Sequence, residues 1–83
     1  MLSEKLRNIG FALKSTPLTE GVSLFFQLAD IADCKEDNAE LLYSVSKHCD
    51  LYAARVARLG DRHQLVRILL DVRHLTDYRT CTV

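Results

Sequence analysis

Apolar residues recur at intervals of three and four along most of the chain, and turn-forming residues break this pattern into four runs. In the first run Leu2, Leu6, Ile9 and Leu13 share one stripe and Phe11 points the other way, which predicts a helix over 3–14. Gly10 weakens that helix. "STP" ends it, because the residue before a proline is pushed out of the α region. A second helix is expected over 17–33, with Thr16 as its cap and Pro17 at the first position, where a missing N–H costs nothing.

The third run, 38–59, has the cleanest stripe: Leu41, Val45, His48 with Cys49, Tyr52, Val56 and Leu59. Asp37 followed by Glu40 has capping-box spacing at its start. Gly60 suits the left-handed position that closes a helix. Asp61 and Gln64 repeat the capping-box spacing, so a fourth helix follows at once over 62–78. Period-two alternation is absent. The expected fold is therefore all-α, a compact bundle of four helices in a single domain covering 1–83.

The second and fourth runs are wider than the others. Leu18, Val22, Leu24, Phe25, Phe26, Leu28, Ala29, Ile31 and Ala32 spread over about 220° at 100° per residue. Leu65, Val66, Ile68, Leu69, Leu70, Val72 and Leu75 spread similarly. Arg73 lies within that arc and must reach outward along its stem. A surface helix needs an apolar arc of somewhat over 100°. Domains keep roughly 0.05–0.15 kcal/mol of stability per residue, and leaving Phe26 or Leu70 wet forgoes about 1.5–3 kcal/mol each. The excess points to association, most simply as a homodimer. Leu24, Phe26 and Ile31 on the second helix, with Val66, Leu70 and Arg73 on the fourth, are the candidate interface.

Charge refines this picture. The 83 residues carry no net charge, but residues 1–19 sum to +2, 20–50 to −5 and 51–83 to +3. Opposite-signed segments suit antiparallel self-pairing and would orient a partner. A neutral total argues against strong non-specific affinity for nucleic acid, which needs a surplus of cations facing phosphate. A nucleic-acid-binding regulator remains the alternative. It would use the Gly60 turn to present Arg62, His63, Arg67 and His74, although Asp61 and Asp71 put anions on the same helix. An Arg67–Asp71 pair at i,i+4 on a solvated face is the simpler expectation.

Enzymatic chemistry is not expected. His48 and Cys49 are adjacent on a helix, so their side chains diverge by about 100° and do not form a dyad. A core role is expected for both, with His48 bonded to Tyr52 or to a carbonyl. Zinc spacing, a glycine-rich phosphate loop and a nucleophile elbow are missing, so neither metal nor cofactor is expected. Cys34, Cys49 and Cys81 are an odd, sparse set that suits reduced thiols. No apolar run approaches the roughly 20 residues of a membrane span, and "MLSEKLRN" lacks the apolar core of a signal peptide. The cytoplasm is the expected compartment.

"SLFFQLADIADCKEDNAELL", with "CDL" further on, resembles the middle of death-effector-type interaction domains, which implies a helical protein-binding module. In that likeness His48 stands where the family has arginine. "AELLYSVSKH" and "LYAARVARLGD" resemble the second helix of small plasmid copy-number regulators, which implies a dimeric helical hairpin bound to paired RNA loops. The basic, aromatic first helix of that family has no match here. Each likeness covers less than half the chain, and the chain is assigned to neither family. The function expected from the residues is a small cytoplasmic regulator or adaptor that dimerises or docks on a larger protein.

Overall fold

The computed structural model describes residues 1–35 and 38–76. Among them lie four helices and no strand: α1 (Leu2–Leu13), α2 (Thr19–Lys35), α3 (Ala39–Ala57) and α4 (His63–Thr76). The all-helical expectation is borne out, with boundaries shifted by one or two residues; the expected end of the fourth helix at 78 lies outside the described residues. Contacts divide the chain into two units, Met1–Leu41 and Leu42–Val83.

In the first unit α1 packs against α2. Leu2, Leu6, Ile9 and Leu13 are buried, as their spacing requires, and Phe11 faces out. On α2 the buried line is Phe25, Leu28, Ala29 and Ala32. The turn between these helices is built differently from the expected cap. Thr16 donates its hydroxyl to the Leu13 carbonyl (2.7 Å) and accepts from the Leu18 N–H (3.1 Å), so one side chain stitches the end of α1 to the approach of α2. The Gly21 N–H then bonds the Leu18 carbonyl in a tight first turn, and α2 begins at Thr19 instead of Pro17. At its other end α2 runs to Lys35, since neither Cys34 nor Lys35 carries a stop signal. Asn38 caps the following helix through Oδ1, which accepts from the Leu41 N–H at 3.0 Å. Asp37, expected in that role, lies outside the described residues.

In the second unit Val45, Cys49, Tyr52 and Val56 of α3 are buried, together with Ala53. The expected stripe stops there: α3 ends at Ala57, and Leu59 falls in the turn, exposed. Gly60 has φ +96° and open space where a Cβ would sit, so its requirement is conformational alone. The Val66 N–H bonds the Arg62 carbonyl as α4 begins. Leu65, Leu69, Val72 and Thr76 form the buried line of α4. The Thr76 hydroxyl is satisfied within its own helix by the Val72 and Arg73 carbonyls. Tyr78, assigned by its spacing to the polar strip of this helix, lies outside the described residues, as does Cys81.

Candidate interaction surface

In the first unit the outward side of the α1–α2 seam is closed by its own side chains. Arg7 pairs with both Asp30 and Asp33. The two acids stand three apart on α2 and so face the same guanidinium. Its hydrogen bond holds the Asp33 carboxyl below the usual range, and Ser3 adds a second bond. One turn further along, Gly10 lets the ring of Phe26 approach to 3.2 Å from the place a Cβ would occupy. Phe11 meets Phe26 edge-on, with ring centroids 5.1 Å apart. The Lys14 ammonium sits over both rings, 4.8 Å from Phe11 and 5.6 Å from Phe26.

The second unit leaves more apolar surface open. Tyr43 and Leu51 face out from α3, and Ile68 (37% exposed) and Leu75 (63%) from α4. Lys47 and Ala54 share the α3 face with Tyr43 and Leu51, and Arg58 follows just past the helix end. On α4, Gln64, Arg67 and Asp71 share the face of Ile68 and Leu75. The helices are tied by Arg73 Nε to Asp50 Oδ1 at 3.5 Å, the outward reach that its place in the apolar arc demands. Such an exposed pair contributes about 0–1 kcal/mol.

The six residues singled out as an interface fall in different settings. Val66, Leu70 and Arg73 form one half-buried line along α4. On α2, Leu24 (half-buried) and Ile31 (exposed) share one flank, while Phe26 points about 140–160° away from them into the α1 seam. Of the residues named for nucleic acid, His63, Arg67 and His74 are exposed and Arg62 is half-buried. Arg67 and Asp71 do not close the ion pair expected within the helix; both project into solvent.

Nor do His48 and Cys49 form a reactive pair. His48 Nδ1 lies 2.8 Å from the Ser44 carbonyl, which can only accept, so Nδ1 carries the proton. The partner is thus a carbonyl and not Tyr52. Burial pushes the Cys49 thiol up to about 12, which keeps it protonated and unreactive. Cys34 is free and exposed. Among the described residues no group of three or more His, Cys, Asp and Glu side chains gathers to hold a metal. Among the same residues no helix is long and apolar enough to cross a membrane.

Comparison with known families, curated proteins and solved structures finds no match. The surface itself therefore carries the functional reading. Sequence reasoning missed the Phe11–Phe26–Lys14 cluster, because Phe11 lay off the stripe and was left without a neighbour. The signal was Gly10: a glycine inside a helix, one turn from a lysine, marks a close approach. Arg7 facing two acids three apart on the next helix was the other sign.

Proposed function

We propose that the protein is a small cytoplasmic helical module that binds protein, dimerising or docking on a larger partner through apolar helix faces, and that it regulates that partner and catalyses no reaction. The observation that carries this reading is the pair Ile68 and Leu75 on α4, held outward with Tyr43 and Leu51 on α3. Exposed apolar side chains flanked by charge suit a binding face: the apolar groups supply affinity and the charges orientation. The flanking charges are Lys47 on α3, Arg58 just past its end, and Arg67 and Asp71 on α4. The protonated thiol of Cys49 and the engaged imidazole of His48 support a non-catalytic role.

Photoreactive residues placed singly at Leu51, Leu75 and Glu4 test this reading in the source cell. The first two are expected to give covalent protein adducts, and Glu4, on an exposed polar position of α1, none. Absence of adducts from both Leu51 and Leu75 would refute the reading. The nucleic-acid alternative makes a separate claim, that the chain binds a polyanion at low salt and loses that binding when Arg62 and Arg67 are neutralised. The protein-binding reading expects no retention.

A further inference from the structure

The outer face of α4 is complementary to itself. Gln64, Arg67, Ile68, Asp71, His74 and Leu75 are all exposed and lie within an arc of about 120° at 100° per residue. Arg67 and Asp71 stand one turn apart, cation before anion, and neither makes an ion pair among the described residues. A helix carrying that order matches a second copy of itself laid antiparallel, since each cation then faces the other's anion.

We propose that α4 is the contact face of a symmetric homodimer. Two copies pack antiparallel about a twofold axis at the level of Leu69, and Arg67 of each bonds Asp71 of the other. This deepens the protein-binding reading and rests on it. The register follows from the positions. With the axis at residue 69, Arg67 stands opposite Asp71, Gln64 opposite His74, and His63 opposite Leu75. The two Ile68 side chains meet beside the axis, offset by about 3 Å at 1.5 Å per residue. Moving the axis to the midpoint of 71 and 72 would set Ile68 against Leu75, but it would also bring the two Asp71 carboxylates together, and like charges disfavour that register. A second copy is thus a partner whose charges fit in one orientation and one register. A single helix pair is a small interface, below the roughly 1,200 Å² of stable complexes, so the dimer is weak and forms at micromolar concentrations or above.

Sedimentation equilibrium of the intact chain and three variants, Arg67→Asp, Asp71→Arg and the double reversal, tests the register directly. The unaltered chain is expected to approach a two-chain mass as its concentration rises from about 1 to 500 micromolar. Each single reversal sets like charges together and weakens association by about tenfold or more; the double reversal restores it. Circular dichroism checks that helix content is unchanged. A one-chain mass throughout, or association indifferent to the single reversals, would overturn the proposal. Indifferent association leaves protein binding intact and moves the contact to another face. A monomer that still gives adducts with other proteins at Leu75 overturns the dimer alone, and a monomer without adducts overturns both.

Discussion

The α1–α2 hairpin and the α3–α4 segment solve the same problem in opposite ways. Each has more apolar side chains than one buried line can hold. In α1–α2 part of the surplus is used internally: Phe26 fills the notch at Gly10, Phe11 packs on its edge, and Lys14 covers both rings, while Phe11 (57%) and Ile31 (47%) keep an exposed side. In α3–α4 it is left facing out, at Tyr43, Leu51, Ile68 and Leu75. The ionic ties differ in the same sense. Among the described residues Arg7 engages two carboxylates, whereas Arg73 engages one and Arg67 and Asp71 on the outer face of α4 engage none. An apolar excess counted from sequence is therefore not itself a binding surface. What decides is whether a neighbouring helix offers a glycine, an aromatic edge or a long cation to cover it.

Substitutions can break or sharpen this contrast. The largest effect is expected at Phe25, fully buried in the first unit: Phe25→Ala should cost about 3–5 kcal/mol, read as a lower urea midpoint. Leu75→Ala, removing an exposed side chain, should stay within about 0.5 kcal/mol. Next comes Gly10→Val, which drives a branched side chain into the Phe26 ring and should cost about 1–3 kcal/mol through overpacking. Gly10→Ala is the finer test: its gain in helix propensity of about 1 kcal/mol opposes a Cβ contact of 3.2 Å, and a change in thermal midpoint near zero is expected.

Asn38→Ala removes the cap of α3 and should cost about 1 kcal/mol, read in the same denaturation assay. The smallest effect is in acid. The Asp33 pKa is depressed from 3.8 by Arg7, so the pair's stabilisation is present above that value and is lost as pH falls through the lower, folded one. Thermal midpoints of the parent and Arg7→Gln should thus differ slightly at neutral pH and converge in acid, once the pH lies below the depressed pKa of the folded Asp33. Both groups are exposed, which keeps the difference small.

Helix identity was legible because burial follows the 3.6-residue period: the stripes at Leu2–Leu13 and Leu41–Val56 are buried as spacing demands. Ends were less legible, since side chains compete for the same backbone groups. Thr16 spends its oxygen on both flanking segments, and Asn38 takes the cap that Asp37 and Glu40 were expected to share. The candidate surface was legible only in part. A wide apolar arc on α2 and α4 is a property of one helix, but whether Phe26 or Ile68 is covered depends on which neighbour comes alongside. Periodicity says nothing about that. The Arg67–Asp71 spacing was visible, but the failure of that pair to close within α4 was not.

The contrast between the two regions is tested most directly by measuring association of two variants side by side, Leu75→Lys and Phe11→Lys, by sedimentation across a concentration series. If the outward apolar residues of α3–α4 serve binding, Leu75→Lys should reduce the chain to its monomer mass with helix content and thermal midpoint unchanged. Phe11→Lys should lower the midpoint and leave association as it was. Association that survives a charge at position 75 but fails with one at position 11 would contradict the account.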